Sequence, residues 1–164
     1  MSLQDIAGDY RQGAGVVLLN TRGYVLICRR IDIEGGAWQM PQGGCERGET
    51  PKLCALRELK EEIGTSSAIV LAESKDWHQY DLPEPLRARA FGGRYIGQRL
   101  KWFLMRFTGK DDDIDLQMHN QEFDGWIWVP PDHVPDLVVA FKRPMYQAVL
   151  EEFRERLKLA RSSH

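Results

Sequence analysis

The sequence predicts an α/β fold in which a mixed β-sheet lies between layers of helix. Short apolar runs bounded by turn residues recur along the chain, and such runs are typical of buried strands. Two other segments repeat apolar residues every three or four positions, which is typical of helices that pack one face on a sheet. Because the chain has 164 residues, we expect a single domain over residues 1–164 with a sizeable core.

Composition limits the partners and the compartment. The net charge of −2 gives no overall basic field, so any contact with nucleic acid must be local, such as one end of a strand. The three cysteines form no C-x-x-C pair, so neither a zinc site nor a disulfide framework is expected, and a reducing compartment, the cytoplasm, fits. The first residues lack a basic segment followed by an apolar one, so we expect no signal peptide. No apolar run approaches about 18 residues, so we expect no membrane partner.

The strands are predicted in chain order from their apolar runs and turns. Two runs near the N-terminus are separated by a Thr-Arg-Gly turn, and further runs follow at short intervals. A stretch rich in Pro, Gly and Arg predicts a long loop over residues 82–97, and such loops in compact domains are often functional. Shorter loops are expected at 1–9 and 31–37. The predicted strands cover residues 15–20, 24–29, 68–72, 77–81, 100–107 and 123–129, with an extended segment at 38–41.

The last helix is predicted to open at Pro144. Apolar residues then recur at every fourth position and form a stripe that faces the core; they are Met145, Val149, Phe153 and Leu157. Near the other end of the chain, the triplet Gly13-Ala14-Gly15 suggests a dinucleotide-binding loop. Because it precedes a predicted strand instead of following one, and no third glycine follows at the required spacing, we discount that interpretation.

The first helix has a clear beginning and end. Thr50 suits the N-cap, Pro51 suits the first helical position, and Gly64 suits a left-handed residue after the last turn. At about 100° per residue, one apolar stripe faces the core. It consists of Leu56, Leu59 and Ile63, with Leu53 at the margin.

Three glutamates share the other side of this helix, and their grouping is costly for a helix with a purely structural role. Glu58 and Glu62 repel each other at positions i and i+4, and Glu61 and Glu62 lie at the negative end of the helix dipole. A divalent cation removes both penalties, and carboxylate oxygens are the ligands that Mg²⁺ and Mn²⁺ prefer. We therefore expect a site for Mg²⁺ or Mn²⁺ here.

The stretch from Gly43 to Thr65 resembles the Nudix box of the Nudix hydrolases. Leu59 meets the internal aliphatic position of that motif, whereas Thr65 replaces its usual aliphatic last residue. The fixed Gly and polar positions are met by Gly43, Glu49, Arg57, Glu58, Glu61, Glu62 and Gly64. The resemblance implies the Nudix α/β/α sandwich and metal-dependent hydrolysis of a phosphorus-containing anhydride.

Further motifs resemble the subfamily of RNA 5′ pyrophosphohydrolases and dinucleoside polyphosphate hydrolases. These motifs are Tyr10-Arg11 followed by Gly15, WQMPQGG at 38–44, KWF at 101–103 and FKR at 141–143. In the first of them, Ala14 replaces the usual Val. Members of this subfamily also carry a metal-binding glutamate just before a strand, and Glu122 holds that place here.

The resemblance also implies roles for single residues. The metal ligands would be Glu58, Glu61, Glu62 and Glu122, with a backbone carbonyl of Gly43 as a further candidate. Glu58 is the candidate general base, with Glu122 as the alternative, and Arg57 is expected to organise the loop by pairing with Glu49. On the substrate side, Arg11 and Lys142 would contact phosphates, Phe141 and Arg30 would stack on a base, and Tyr80 would line the nucleotide pocket.

Several functions are compatible with these residues. The first is removal of pyrophosphate from the 5′-triphosphate end of RNA, and the second is asymmetric hydrolysis of diadenosine tetraphosphate; one enzyme could do both. A third is an inactive nucleotide-binding or calcium-binding module. A calcium-binding module is suggested because four acidic residues match positions 1, 3, 5 and 12 of an EF-hand loop. They are Asp111, Asp113, Asp115 and Glu122. Against it, Leu116 occupies the position that needs Gly, and the flanks are predicted strands.

Overall fold

A mixed eight-stranded sheet forms the centre of the computed structural model, which describes residues 9–32 and 37–162. The strand order is β3-β2-β1-β7-β5, with β8 on β2, β4 on β1 and β6 on β7. β1 and β7 pair in parallel, and the remaining pairs of the described sheet are antiparallel. The strands are β1 Tyr10–Leu19, β2 Val25–Arg30, β3 Trp38–Gln39, β4 Gln42–Gly44, β5 Ala68–Glu73, β6 His78–Asp81, β7 Gly97–Phe107 and β8 Phe123–Val129.

Helices cover the two faces of the sheet. They are α1 Pro51–Ile63, α2 Glu84–Arg87, α3 Val134–Leu137, α4 Arg143–Glu152 and α5 Arg154–Ser162. The segment predicted as one last helix is broken at Phe153, whose φ of −92° and ψ of 8° leave the helical region. Its apolar stripe continues across the break, because Met145, Val149, Phe153 and Leu157 are all buried.

The run of apolar residues in β1 divides between two cores. Val17 and Leu19 pack with Tyr146 of α4, whereas Val16 and Leu18 pack on the other face with Leu59 of α1. Successive side chains of a strand point to opposite faces, so a strand buried on both faces needs an unbroken apolar run. The predicted α/β/α sandwich with a mixed sheet is confirmed.

The ends of α1 are those that its sequence predicts. The Thr50 hydroxyl accepts a hydrogen bond from the Leu53 amide at 3.3 Å, and Pro51 takes the first helical position. Gly64 adopts φ 80°, which favours glycine, and its amide donates to the Lys60 carbonyl. Among the predicted core residues, Leu59 and Ile63 are fully buried, whereas Leu53 is 58% exposed.

Several boundaries differ from the predictions. β1 begins at Tyr10 instead of Gly15, and β7 at Gly97 instead of Leu100, because polar residues at these ends pair with each other in register. Such pairing leaves no apolar signal in the sequence. The predicted loop over 82–97 contains α2 and a tight turn at 90–93. The loops expected over 1–9 and 31–37 lie largely outside the described residues. None of the helices in the described part of the chain has the length and apolar character needed to cross a membrane.

Candidate active site

One cavity, of about 350 Å³, brings together most of the predicted site residues. Of those predicted, it is lined by Arg11, Arg30, Gly43, Glu58, Glu61, Tyr80, Glu122 and Lys142. Residues without an individual role in the prediction also line it: Gln39, Gln42, Gly44, Phe91, Gln98, His119 and Asn120. A larger cavity of about 590 Å³, between Pro131 and the C-terminal helices, contains none of the predicted residues. The smaller cavity is therefore the candidate active site.

Gly43 and Glu58 meet at the acidic end of this cavity. A Cβ on Gly43 would lie only 2.0 Å from the Glu58 carboxyl carbon, so no larger residue fits while Glu58 keeps its place. β4 carries Gly43 and α1 carries Glu58, and the loop between them holds the strand end against the helix. The Gly43 backbone therefore lies directly against the Glu58 carboxylate. The role of the Gly43 carbonyl as a metal ligand stays a prediction.

Arg57 links the loop to the glutamates. Its guanidinium donates two hydrogen bonds to Glu49, at 2.7 and 2.9 Å, as the sequence predicts. It also donates to Glu58 at 2.9 Å, to Glu61 at 3.1 Å and to the Gly44 carbonyl at 2.9 Å. This arginine lowers the pKa of Glu49 to about 2. One cation thus holds three carboxylates and the end of β4 in a fixed arrangement.

Glu62 is buried and lacks a full set of partners. The helical pattern suggests an open position for it, but β4 covers it, and only 5% of the residue is exposed. Its Oε2 accepts a hydrogen bond from the Gln42 amide at 3.1 Å, whereas its Oε1 is buried with no partner. Burial raises the pKa of Glu62 well above the ordinary value, and Glu122 and Glu58 raise it further. A cation near Oε1 would satisfy this oxygen, so the donor set fits a divalent metal.

Glu58 has a milder environment of the same kind. Burial raises its pKa, although Arg57 opposes that effect. Glu61 is more open, with 33% of its side chain exposed, and Glu122 is exposed at the rim of the cavity. In the described part of the chain, these four carboxylates do not form a tight cluster with all ligand atoms within 4.8 Å of one another.

The predicted EF-hand residues do not converge either. Asp111 accepts from the Trp128 indole at 3.0 Å, Asp113 from the Lys110 amide at 2.8 Å and Asp115 from the Gln117 amide at 2.9 Å. Asp113 and Asp115 therefore stabilise their own turns and Asp111 is bonded to β8, whereas Glu122 lines the active-site cavity. Within residues 9–32 and 37–162, the four form no group with ligand atoms within 4.8 Å. The structure gives the calcium-binding interpretation no support.

The rest of the lining, called here the basic end of the cavity, carries cations and aromatic rings. The Lys142 ammonium is buried, donates to the Gln39 Oε1 at 3.0 Å and lies 5.2 Å from the centroid of the Tyr80 ring. Burial, followed by the charge of Arg30, lowers the pKa of Lys142 to about 7. Arg30 itself donates two hydrogen bonds of 2.7 Å to Asp32. This end can therefore hold phosphate oxygens and a planar base.

Two further predicted residues contact rings beside the cavity. Phe141 is absent from the cavity lining; its ring centroid lies 5.7 Å from that of Tyr80. The Arg11 guanidinium lies 4.7 Å from the centroid of Phe91 and packs against Gly44. Phe91 was not predicted individually, but it belongs to the segment predicted as a functional loop. The roles of Phe141 and Arg11 in substrate binding stay predictions.

A buried hydrogen-bond network under the cavity was not predicted. The Gln98 Oε1 accepts from Tyr80 at 2.7 Å and from the Gln42 side chain at 3.2 Å. Tyr146 donates to the Gln42 Oε1 at 2.8 Å and accepts from the Met40 amide at 3.2 Å. Gln42 belongs to the WQMPQGG motif, which could have indicated it. Gln98 and Tyr146 carry no such local signal, because distant strands and a helix bring them here.

Known proteins resemble this chain over most of its length. A family model described as the NUDIX domain matches residues 9–149. The RNA pyrophosphohydrolase of Rhodospirillum rubrum is 54% identical over 143 residues, covering 87% of this chain and 86% of that protein. The RNA pyrophosphohydrolase of Rickettsia conorii is 45% identical over 144 residues, covering 88% of this chain and 89% of that protein.

Solved structures share the fold at low sequence identity. The E. coli dihydroneopterin triphosphate pyrophosphohydrolase matches with a TM-score of 0.64 at 22% identity, covering 87% of this chain and 95% of that one. A C. elegans Ap4A hydrolase binary complex matches with a TM-score of 0.58 at 17% identity, covering 84% and 94%. These structural likenesses support only the α/β/α fold. The family assignment rests on the match to the domain model and on the two sequence relatives. The chain therefore belongs to the Nudix hydrolase family and, within it, to the RNA pyrophosphohydrolase subfamily.

Proposed function

We propose that this enzyme removes pyrophosphate from the 5′-triphosphate end of RNA, leaves a 5′-monophosphate, and also acts on dinucleoside polyphosphates. The observation that carries the proposal is that a single cavity is lined both by carboxylates and by cations and aromatic rings. A triphosphate attached to a nucleotide offers phosphates for the cations and for metal held by the carboxylates, and a base for the rings. The two relatives of 54% and 45% identity, both RNA pyrophosphohydrolases by name, favour the RNA end as the main substrate.

Nudix hydrolases use divalent cations, and we propose Mg²⁺ or Mn²⁺ here. The residues that would hold them are Glu58, Glu61, Glu62 and Glu122, together with the Gly43 carbonyl. The buried Glu62 Oε1, which has no partner, supports this assignment. When bound, such cations neutralise charge that develops on the phosphate oxygens.

Glu58 is proposed as the general base, with Glu122 as the alternative. A base must accept the proton of the water that attacks phosphorus as the anhydride bond breaks and pyrophosphate leaves. Burial raises the pKa of Glu58 and so makes its carboxylate a better proton acceptor. Arg57 fixes the orientation of this carboxylate through its 2.9 Å hydrogen bond, and Glu49 and Gly64 hold the ends of the motif.

On the substrate side, Arg11 and Lys142 are proposed to contact phosphates, and Arg30 and Phe141 to hold the first base, with Tyr80 lining the pocket. We also propose one domain over residues 1–164, working in the cytoplasm. The free thiols of Cys28, Cys45 and Cys54 support a reducing compartment.

The decisive experiment compares three substrates on one preparation. We expect triphosphate-ended RNA with a few unpaired 5′ nucleotides to show a higher kcat/KM than the same end locked in a duplex, because a paired base cannot enter the stacking site. Diadenosine tetraphosphate is the third substrate. Equal rates on paired and unpaired ends, with a strong preference for diadenosine tetraphosphate, would replace the proposal with a dinucleotide hydrolase.

Phe141→Ala tests the base contact separately. Stacking is worth about 1–3 kcal/mol per base, so kcat/KM on RNA should fall by about 5- to 150-fold. Inorganic polyphosphate serves as the control substrate, because it has no base and should be affected little. An equal loss on both substrates would show that Phe141 supports the fold of the pocket and does not hold a base.

A further inference from the structure

Two thiols and one carboxylate of the Nudix box meet beside the proposed metal ligands. The Sγ atoms of Cys45 and Cys54 and a carboxylate oxygen of Glu49 all lie within 4.8 Å of one another. In the described part of the chain, this is the one set of three or more His, Cys, Asp or Glu ligand atoms that comes so close. Spacing in the sequence suggested no zinc site, because the cysteines form no C-x-x-C pair. The turn between β4 and α1 nevertheless brings two of them together.

The set has the chemistry of a site for a thiophilic cation. Zn²⁺ binds thiolate sulfur at about 2.3 Å and carboxylate oxygen at about 2.0–2.2 Å, so two sulfurs of a tetrahedral site lie about 3.8 Å apart. Closing from a separation of at most 4.8 Å needs only small side-chain adjustments. Soft sulfur ligands favour Zn²⁺ over Mg²⁺, which prefers the all-oxygen glutamate site.

Access and a fourth ligand are also available. Cys45 is half-buried, and the Glu49 side chain is 13% exposed, so solvent can reach the set from that side. Water can therefore complete a tetrahedral arrangement. The Cys54 thiol is buried and lies 3.8 Å from the Gly43 carbonyl. The set thus borders the active site without sharing a side chain with its proposed ligands.

We propose that Cys45, Glu49 and Cys54 form a binding site for a thiophilic divalent cation of the Zn²⁺ type, coupled to the catalytic glutamates through Arg57. Glu49 holds Arg57 with two hydrogen bonds, and Arg57 in turn donates to Glu58 and Glu61. A cation that takes Glu49 as a ligand competes with Arg57 for that carboxylate. The loss of this support moves Arg57 and the two glutamates it holds, so occupancy should slow hydrolysis.

Binding is tested without substrate, so the result does not depend on the proposed function. Reduced protein is titrated with Cd²⁺, and thiolate-to-metal charge-transfer absorption in the ultraviolet is recorded. We expect one equivalent to give this absorption in the wild type and in the triple variant Glu58→Gln, Glu61→Gln, Glu62→Gln, in which the glutamate site is removed. Cys45→Ser should lose it. Cys28→Ala, which removes a buried thiol outside the set, should keep it.

Several outcomes would overturn the site. They are no thiolate absorption in the wild type, full absorption in Cys45→Ser, or its loss in Cys28→Ala. Loss of two free thiols on exposure of metal-free protein to air, with no metal absorption before it, would instead assign the pair to a disulfide. Because Cys45 is half-buried and serine is close in size, we expect the variant to fold, and its thermal unfolding checks this.

The coupling has its own measurement. In saturating Mg²⁺ without Zn²⁺, Cys45→Ser should turn over at the wild-type rate. Added Zn²⁺ should then reduce kcat of the wild type several-fold more than kcat of Cys45→Ser. Equal inhibition of both proteins, alongside a positive Cd²⁺ titration, would leave the site in place and overturn its link to Arg57.

Discussion

The two ends of the active-site cavity satisfy their polar groups in different ways. At the acidic end, Glu62 keeps a buried oxygen without a partner, and burial raises the pKa of both Glu62 and Glu58. At the other end, Gln42, Gln98 and Tyr80 bond to one another, so their groups are paired before any ligand arrives. The network therefore pairs its own polar groups, whereas the acidic end keeps a buried oxygen that a bound cation would satisfy.

This difference separates the residues proposed to hold the substrate from the residues proposed to react. A preorganised network loses little entropy when a ligand binds, so it is suited to recognition. Closely placed carboxylates are destabilising until a cation joins them, so their arrangement has no structural benefit of its own. Substitutions at the acidic end should therefore reduce activity while sparing or raising stability. Substitutions in the network should reduce stability and change kcat little.

The largest effect is expected for Glu58→Gln. Loss of the proposed base should reduce kcat by about 10²-fold or more, while the similar shape of glutamine keeps the fold. Steady-state kinetics in saturating Mg²⁺ measure kcat, and thermal unfolding checks that the variant keeps its stability. Lys60→Gln on the exposed side of the same helix is the matched control and should turn over normally. Near-normal turnover of Glu58→Gln would move the base to Glu122.

Glu62→Gln tests whether the buried carboxylate lowers the stability of the metal-free protein. Because the folded pKa of Glu62 lies above its ordinary value of 4.5, the folded state holds more protons than the unfolded state at higher pH. Metal-free wild type should thus lose stability as the pH rises above about 4.5, and Glu62→Gln should lose less. Mg²⁺ at a hundred times its Kd should restore about 2.7 kcal/mol to the wild type and less to the variant.

Thermal unfolding in EDTA and in Mg²⁺ across pH 5–8 makes this comparison. The same slope in both proteins would show that Glu62 is not the residue that destabilises the metal-free fold.

Lys142 gives a pH dependence at the other end of the cavity. With a pKa of about 7, Lys142 loses its charge as the pH rises through neutrality. Above neutrality, each further pH unit reduces the charged fraction about tenfold. kcat/KM on triphosphate-ended RNA should therefore fall between about pH 7 and 8.5. In Lys142→Arg the cation stays charged, so this fall should disappear. The same fall in the variant would assign it to another group.

The smallest effect is expected for Tyr146→Phe. Loss of the hydroxyl leaves the Met40 amide and the Gln42 Oε1 without that partner, which should cost about 1–3 kcal/mol of stability. kcat should change little, because Tyr146 does not contact the glutamates. Tyr24→Phe, at a ring that packs beside Arg161, is the control and should be nearly neutral. A large loss of kcat with unchanged stability would contradict the division between the two ends.

The sequence predicts the acidic end better than the network for a physical reason. Glu58, Glu61, Glu62 and their capping residues belong to one helix, whose period and end signals are local. Gln98 joins Gln42 only after β7 has paired with β1 and β4 has paired with β1. The break at Phe153 and the meeting of Cys45 with Cys54 likewise depend on packing and on a turn, which hydrophobic periodicity does not describe.

The parallel pairing of β1 and β7 also sets when the site can form. Arg11 and Gln98 are register partners in this pair, although most of the site-forming chain lies between them in sequence. Contacts between such distant segments carry a high loop-closure cost and form slowly. During synthesis, no pocket can exist until β7 has been made. Recovery of activity after dilution from denaturant should accordingly follow the slowest step of refolding, and α1 can become helical well before the enzyme can work.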